Sequence, residues 1–219
     1  MTNFVGVIRV LTLDDPEMVA THGRQIERKY GLATRSRCIP DQRRGIYDAE
    51  SERLAIPKIV PLAKQLAEEG AAAIVVSCAA DPGVPELRRE LRIPVIGGGS
   101  AVAHLALSLA ERVGVLELTE TADPFVQQLL GGKLVGVGIP EGVKDTTDLM
   151  TDWGREAALK AAGRLVESGA GALVLACTGY STIGLAPELR RRFGVVAVDP
   201  VDAEGLVVWY AVGGGTAVG

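Results

Sequence analysis

The sequence predicts an α/β fold with two pseudo-symmetric lobes, each a parallel sheet flanked by helices. The first observation is a repeat: residues 67–78 read AEEGAAAIVVSC and residues 166–177 read VESGAGALVLAC, so each copy ends in a cysteine. The second is that the segment PELRR follows each cysteine, at residues 85–89 and again at residues 187–191. The third is the alternation of strand-like and helix-like segments, which is typical of parallel sheets joined by right-handed crossovers.

Strand and helix signals alternate through the first half of the chain. Residues 72–77 form an apolar run without alternation, which indicates a parallel strand buried on both faces. Asp15 is a suitable N-cap, and Gly31 a suitable stop, for the first helix. Pro57 and Pro61 are expected to limit or bend the second helix. The predicted strands are residues 4–11, 32–39, 72–77 and 94–96, and the predicted helices are residues 16–30, 49–69, 84–91 and 100–112.

The cycle restarts at Val113, where VGVL repeats the VGVI of the first strand. The predicted strands of this half are residues 113–116, 133–139, 172–176 and 195–198, and the predicted helices are residues 124–130, 145–168, 185–192 and 203–211. The Gly-rich tail at residues 213–219 is expected to fray. We expect a first lobe made of residues 1–98 together with 203–219, and a second lobe made of residues 99–202.

Composition argues against several classes of protein. With 219 residues, 47% of them hydrophobic, the chain can bury a substantial core. A net charge of −4 and an aromatic content of 4% do not indicate nucleic-acid binding. No apolar run reaches the roughly 18–20 residues of a membrane span, and no secretory signal is visible. We expect a cytoplasmic protein with free thiols that acts on a small molecule, forms a homo-oligomer, and has no nucleic-acid or membrane partner.

The repeat places a thiol at the same point of each half. Cys78 and Cys177 follow equivalent buried strands, and ligand sites in open parallel sheets form beyond the carboxyl ends of the strands. We therefore expect the two thiols to face each other across one site. A thiol near a helix N-terminus can have a lowered pKa and act as a base or nucleophile. The alternative is a pair of buried packing cysteines inherited by duplication. Cys38 has no counterpart in the repeat, and we expect it to be structural.

On these segments the chain resembles the Asp/Glu racemase superfamily and, within it, the hydantoin racemase-like branch. The SCAADPG segment at residues 77–83 resembles the first-cysteine loop of hydantoin racemases, and ACTG at residues 176–179 resembles their second-cysteine segment. The resemblance extends over almost the whole chain. It implies two α/β lobes, a cleft with one cysteine on each side of the substrate, and no cofactor or metal.

The resemblance also implies a reaction. One cysteine, as the thiolate, removes the proton from a carbon next to a carbonyl, and the other, as the thiol, returns a proton to the opposite face. The intermediate carbanion needs preorganised donors. The expected donors are the backbone N–H groups of Ala79, Ala80, Thr178 and Gly179, together with the Thr178 hydroxyl. Asp81 is a further candidate for substrate binding because it follows the first cysteine in the Asp-Pro-Gly of that loop.

Further substrate-binding candidates lie at the ends of the first strand of each half. Thr12 and Thr119 end equivalent strands, and their hydroxyls either point into the cleft or cap the following turn. Asp14 lies in an acidic loop that would either repel a carboxylate substrate or bind an N–H group. His22 is expected to be an ordinary helix residue, although it follows this loop. The loop at residues 41–47 either covers the cleft or is a solvated surface loop.

The glycine-rich segment at residues 97–100 is not a GxGxxG motif, so a dinucleotide site is rejected. It either cradles an anion or acts as a hinge, and Ser100 is a suitable cap for the helix that follows.

Several functions stay open at this point. The segments lack the Cys-Asn-Thr and Cys-Thr-His of glutamate racemases, which favours a hydantoin or another amino-acid-type substrate over aspartate or glutamate. An aspartate or glutamate racemase is nevertheless the first alternative. The others are a maleate-isomerase-like enzyme, in which one cysteine adds to a double bond, and a non-catalytic two-lobed ligand-binding protein.

Overall fold

Two four-stranded parallel sheets form the framework of the molecule, in a computed structural model that describes residues 4–213. The first sheet has the order β2-β1-β3-β4, and its strands are β1 (Phe4–Arg9), β2 (Thr34–Cys38), β3 (Ala71–Ser77) and β4 (Val95–Gly97). The second has the order β6-β5-β7-β8, and its strands are β5 (Val113–Leu116), β6 (Leu134–Gly138), β7 (Ala172–Leu175) and β8 (Val196–Val198). The equal strand orders confirm the predicted α/β fold of two pseudo-symmetric lobes.

Ten α-helices and one short 3₁₀ turn at Gly131–Lys133 connect these strands within the described residues. Those of the first half are α1 (Pro16–Tyr30), α2 (Ala49–Glu68), α3 (Val84–Glu90) and α4 (Gly98–Leu109). Those of the second half are α5 (Phe125–Leu130), α6 (Thr146–Leu149), α7 (Asp152–Glu167), α8 (Gly179–Thr182), α9 (Leu185–Phe193) and α10 (Pro200–Ala211). No described helix has both the length and the apolar character needed to cross a membrane. The tail that was predicted to fray lies outside the described residues, apart from Gly213.

The hydrophobic core has three parts. One part packs the outer face of the first sheet against α2 and α3, and a second packs the outer face of the second sheet against α7 and α9. The third lies between the sheets, where small and β-branched side chains of α4 and α10 fill the space. Strands buried on both faces explain the apolar runs without alternation that predicted them.

Helices α4 and α10 exchange partners between the two halves. Helix α4 follows the first sheet but packs against β7 and β8, while α10 closes the second half but packs against β3, β4 and α1. On these contacts we propose that α10 belongs to the first lobe and α4 to the second, in line with the predicted boundaries 1–98 plus 203–219 and 99–202; residues 214–219 lie outside the described part of the chain.

Three helix predictions differ from the structure. The helix predicted at residues 145–168 is two helices, α6 and α7, because the Thr151 hydroxyl caps the second at the Gly154 N–H (3.1 Å). Ser100 does not cap α4, which begins at Gly98; its hydroxyl bonds to Asp81 instead. Helix α10 begins at Pro200 instead of Ala203.

Two local expectations about helices were also tested. Pro57 and Pro61 do not limit α2, which runs through both of them to Glu68. Asp15 and Gly31 bound α1 as predicted: Asp15 accepts from the Glu17 N–H, and Gly31 takes the left-handed conformation with φ of 68°.

Candidate active site

The two repeat cysteines lie at the same edge of the paired sheets. Cys78 follows the last residue of β3 directly, and Cys177 lies two residues beyond the end of β7. Both line one cavity between the lobes. Burial raises the pKa of Cys78, and the neighbouring Cys177 raises it further. The structure thus brings together the two groups that the repeat predicted to face one site.

The cavity is small and mixed in character. It offers about 50 Å³ to the centres of water-sized molecules, which is room for a few waters or one small molecule, since one water needs roughly 10–15 Å³. From the first lobe it is lined by Arg9, Val10, Leu11, Gly45, Ile46, Tyr47, Asp48, Ser77, Cys78, Ala79 and Ala80. From the second lobe it is lined by Glu117, Leu118, Ala122, Asp123, Val126, Thr146, Ala176, Cys177, Thr178 and Gly179.

Each sulfur meets a backbone N–H two residues further along the chain. The Gly179 N–H donates to the Cys177 sulfur at 3.4 Å. At Cys78, burial raises the pKa of the thiol and the Ala80 backbone N–H opposes that rise. Gly179 is required for this approach: a Cβ there would lie 3.3 Å from the Cys177 sulfur and 3.0 Å from Cγ2 of Thr146. The duplicated strand ends therefore provide each thiol with a donor that stabilises its ionised form.

Burial nevertheless outweighs these donors. Desolvation raises the pKa of the Cys177 thiol to about 11 and that of Cys78 well above its ordinary value, while the N–H contacts lower both by less. This is the opposite of the lowering that a helix N-terminus can produce. With these pKa values both thiols are protonated at neutral pH in the free protein.

Four of the predicted substrate-binding residues line the cavity. Ala79 and Ala80 follow Cys78, and Thr178 and Gly179 follow Cys177, so their backbones border the space between the thiols. The Thr178 hydroxyl donates to the Ser77 carbonyl at 3.1 Å. Its proton is therefore committed to joining the two cysteine segments, which leaves the backbone N–H groups as the candidate donors to a substrate.

The other three candidates, which lie at strand ends and in the first loop, contact residues 41–47. This segment covers the cavity. Thr12 donates to Ile39 O at 2.6 Å and accepts the Gln42 N–H at 2.8 Å. Asp14 is exposed and pairs with Arg43. Thr119 donates to the Tyr47 carbonyl at 2.7 Å. None of Thr12, Asp14 and Thr119 lines the cavity in the described part of the chain, so the structure does not support substrate contact there.

The covering segment joins the lobes. Its Arg44 Nε donates to Asp145 Oδ2 of the second lobe at 2.6 Å, and the Arg44 guanidinium lies 4.7 Å from the centre of the Tyr47 ring. The Tyr47 carbonyl accepts from the hydroxyls of Thr119 (2.7 Å) and Thr121 (3.1 Å). Of the two interpretations of this loop, the structure favours the one in which the loop covers the cavity.

Asp81 and the glycine-rich segment have a packing role. The buried Asp81 carboxylate accepts the Gly99 N–H at 2.6 Å, the Ser100 N–H at 3.1 Å and the Ser100 hydroxyl. A Cβ on Gly97 would lie 2.2 Å from this carboxylate, and one on Gly99 would lie 2.0 Å from Ala79 O. The glycines therefore let α4 approach the first cysteine loop, and Asp81 caps the helix from outside the cavity.

The cavity also contains charged residues that the sequence analysis missed. Arg9 and Glu117 are each 3% exposed and line the cavity next to the cysteine segments. Burial raises the pKa of Glu117 to about 7, against weaker stabilisation by Gln127 and the Leu118 N–H. The sequence contained a signal for these two residues, because both directly follow the repeated VGV(I/L) segment, in VGVIR and VGVLE.

His22 is a further residue whose role the sequence did not reveal. Its ring is fully buried and bridges the two cysteine segments, with Nδ1 2.9 Å from Ser77 Oγ and Nε2 2.8 Å from Thr182 Oγ1. Ser77 also donates to the buried Glu204 carboxyl at 2.8 Å. Burial lowers the pKa of His22 well below its ordinary value, so the ring is neutral. Cys38, by contrast, ends β2 away from the cavity lining.

The family model of Asp/Glu/hydantoin racemases matches residues 20–204. The chain belongs to this family. The match covers both cysteine segments and most of both lobes, so the resemblance predicted from those segments is confirmed. Within the described residues no group of three His, Cys, Asp or Glu side chains is arranged to hold a metal ion.

Two hydantoin racemases are similar to this racemase-family chain. The one from Pseudomonas sp. (strain NS671) is 30% identical over 162 residues, which cover 69% of this chain and 63% of the relative. The one from Rhizobium meliloti is 26% identical over 165 residues, 69% of this chain and 65% of the relative. The matched part thus spans just under two thirds of these relatives.

A solved structure shares the fold over more of its length. Allantoin racemase from Klebsiella pneumoniae matches with a TM-score of 0.83 at 24% identity, covering 96% of this chain and 89% of that one. At this identity the likeness establishes the common two-lobed fold.

Proposed function

We propose that the protein is a cofactor-independent racemase or epimerase that inverts a carbon next to a carbonyl with Cys78 and Cys177 as the two acid/base groups. The observation that carries this proposal is that two thiols from equivalent strand ends line one small cavity in a chain of the racemase family. Similarity to two hydantoin racemases supports a cyclic amide of the 5-substituted hydantoin type as the substrate.

The mechanism needs one thiolate and one thiol at a time. In one direction Cys177, as the thiolate, takes the proton from the reacting carbon, and Cys78, as the thiol, gives a proton to the opposite face. The roles exchange in the other direction. Backbone N–H groups at the cysteine loops stabilise the charge that develops on the carbonyl oxygen. A side chain on each face is required because a single base would return the proton to the side from which it came.

Thiolate formation must accompany substrate binding. With a pKa of about 11 for Cys177, roughly one molecule in ten thousand carries this thiolate at pH 7. Substrate donors that enter the cavity stabilise the thiolate in the same manner as the Gly179 N–H. Binding and activation of the thiol are therefore coupled in this site.

The charges around the cavity favour a neutral substrate over a dicarboxylate. Three carboxyl groups line it, from Asp48, Glu117 and Asp123, against the single guanidinium of Arg9. Arg9 Nη1 already donates to the carbonyls of α1 residues Met18 (2.7 Å) and Val19 (3.2 Å). Because a carboxylate substrate would meet more negative than positive groups, aspartate and glutamate remain the second choice.

The test is racemisation in deuterated water. The purified protein is incubated with single enantiomers of 5-methylhydantoin, 5-benzylhydantoin, aspartate and glutamate, while circular dichroism follows inversion and proton NMR follows exchange of the α-proton. We expect Cys78→Ala and Cys177→Ala each to lower inversion of the hydantoins at least 1000-fold, on the order of what general acid–base groups contribute. Cys38→Ala is the matched control and should keep the wild-type rate. Inversion that survives either cavity substitution would refute the mechanism.

The same samples separate the alternatives. A succinyl adduct on one cysteine after incubation with maleate, seen by mass spectrometry, would indicate the maleate-isomerase-like chemistry instead. Ligand-dependent stabilisation without turnover of any compound would indicate a binding protein.

A further inference from the structure

The pseudo-twofold arrangement of the cavity is broken by one pair of charged residues. Arg9 pairs in register with Ser77, the residue before Cys78, and Glu117 follows Leu116, which pairs with Leu175 two residues before Cys177. The two side chains therefore occupy equivalent positions beside the two thiols, and they carry opposite charges. Both residues line the cavity, although the Arg9 guanidinium donates to carbonyls of α1.

Glu117 is held in place by its backbone. Its N–H donates to Gly138 O at 2.9 Å, and its carbonyl accepts the hydroxyl of the fully buried Tyr180 at 2.7 Å. The carboxyl itself has a long contact with Gln127 Nε2, at 3.3 Å, is also stabilised by the Leu118 N–H, and lines the cavity. A buried carboxyl with so weak a side-chain donor gains strongly from a further N–H in a closed site.

We infer that Glu117 is a specificity-determining residue whose carboxylate accepts a ring N–H of the substrate on the Cys177 side of the cavity. This inference rests on the proposed function and adds to it the group that orients the substrate. The equivalent residue of the first lobe, Arg9, is anchored to the carbonyls of α1. Glu117 thus gives a cyclic amide one orientation between the two thiols, and it disfavours substrates that present a carboxylate to it.

The ionisation of Glu117 supports this role. Burial is the main reason that its pKa is raised to about 7, so the carboxylate forms as the pH rises through neutrality. The titratable or charged groups that share its surroundings are Arg9, Asp48 and Cys78 from the first lobe, Asp123 ahead of α5, and Cys177 and Tyr180 from the second cysteine segment. Among the carboxyl groups of this set, Asp123 is the one that further raises the pKa of Glu117.

The test combines an enzyme substitution with a substrate substitution. Racemisation kinetics are measured for wild type and Glu117→Gln with 5-methylhydantoin and with its N1-methyl and N3-methyl derivatives. The matched control is Glu120→Gln, because Glu120 is exposed outside the cavity three residues away. Thermal unfolding midpoints of all three proteins show whether the fold is intact, and isothermal titration calorimetry measures binding separately from turnover.

We expect Glu117→Gln to raise KM for 5-methylhydantoin about tenfold with a smaller change in kcat, because a charge-assisted hydrogen bond is roughly twice as strong as a neutral one. For one of the two methylated substrates, wild type and Glu117→Gln should agree within about twofold, since the N–H that Glu117 accepts is absent. In wild type, but not in Glu117→Gln, KM for 5-methylhydantoin should rise as the pH falls through 7. Glu120→Gln should behave as wild type.

Two outcomes would overturn the inference, and they are distinguishable. If wild type racemises 5-methylhydantoin but Glu117→Gln changes KM by the same factor for all three substrates, Glu117 does not read a ring N–H and the proposed function stands. If wild type inverts none of the hydantoins, the proposed function fails, and the inference fails with it.

Discussion

His22 allows a prediction in which a single side chain tests how the two cysteine segments are joined. His22→Ala removes a fully buried ring and its contacts with Ser77 and Thr182, which lie on opposite lobes. Both partners keep another contact: Ser77 bonds to Glu204, and the Thr182 hydroxyl lies 3.4 Å from Thr178 O. The loss therefore consists mainly of two net hydrogen bonds and the cavity left by the ring, with little penalty from groups left unpaired.

These contributions give the expected size of the effect. The two hydrogen bonds, one buried and one part-buried, contribute about 1 kcal/mol each, and the cavity left by the ring adds about 1–2 kcal/mol, so we expect a free energy of unfolding lower by about 3–4 kcal/mol. Equilibrium urea unfolding followed by circular dichroism measures it. His104→Ala is the matched control, because the His104 side chain is exposed on α4. In the described structure this side chain hydrogen-bonds only to Ser100 O of its own helix. The His104→Ala substitution should lower the free energy of unfolding by less than about 1 kcal/mol.

The pH dependence of the difference gives a second check. Folded His22 has a pKa well below 6.5, whereas the unfolded side chain takes up a proton near pH 6.5, so the wild type loses stability from this group as the pH falls through 6.5. Between pH 7.5 and pH 5.5 this linkage amounts to at most about 1.4 kcal/mol, which is reached when the folded ring stays neutral at the lower pH. The difference in free energy of unfolding between wild type and His22→Ala should therefore narrow at pH 5.5, by up to that amount. A gap equal to that of His104→Ala, or one that widens on acidification, would show that His22 is not a neutral link between the segments.

Three further predictions concern the cavity. Gly179→Ala should lower kcat about tenfold or more with a smaller effect on stability, because the added Cβ would press on Thr146 and the Cys177 sulfur. The control for steady-state kinetics is Gly132→Ala, where an added Cβ would meet none of the surrounding residues within 4 Å. Arg44→Ala should raise KM several-fold and speed alkylation of the cavity thiols, since it removes the ion pair from the covering segment to the second lobe and leaves only the Tyr47 carbonyl contacts with Thr119 and Thr121 among those described above. Arg43→Ala, which loses an exposed pair within the first lobe, should do neither. Alkylation of Cys177 by iodoacetamide should still be rising at pH 10, because burial raises its pKa to about 11; a plateau near pH 8 would contradict a buried, protonated resting thiol.

The sequence predicted those parts of the molecule that duplication repeats. The two parallel-sheet lobes and the placement of Cys78 and Cys177 follow from one pattern used twice, and the backbone positions after each cysteine follow with them. The strand orders were not predicted and are known only from the structure. Strands β1 and β5 were predicted to extend too far, to Thr12 and Thr119. Strand β1 ends at Arg9 and β5 at Leu116, and the residues directly after each strand end border the cavity, whereas neither threonine does.

Other parts of the site depend on contacts that no local pattern records. His22 joins a residue 55 positions away to one 160 positions away, so its role is visible only once both lobes are assembled. The same is true of Arg44, which reaches Asp145 across 101 positions. Local propensity identified their helix and loop correctly but contains no information on such pairings. The raised thiol pKa values belong to this class as well, because desolvation depends on the closed cavity and not on the residues next to each cysteine.

The closed cavity also bears on how two thiols can be kept from side reactions. Thiolates, not thiols, react with oxidants and electrophiles, so two cysteines held protonated by burial react slowly at neutral pH while the site is empty. Under the proposed mechanism, a substrate that brings its own hydrogen-bond donors changes that balance where it binds. The residue at the end of the first strand of each half is Arg9 in one lobe and Glu117 in the other, so the two halves of the cavity lining carry unlike charges. In that mechanism the duplicated backbone supplies the symmetry that stereoinversion requires, and Glu117 supplies the asymmetry that orients a substrate within it.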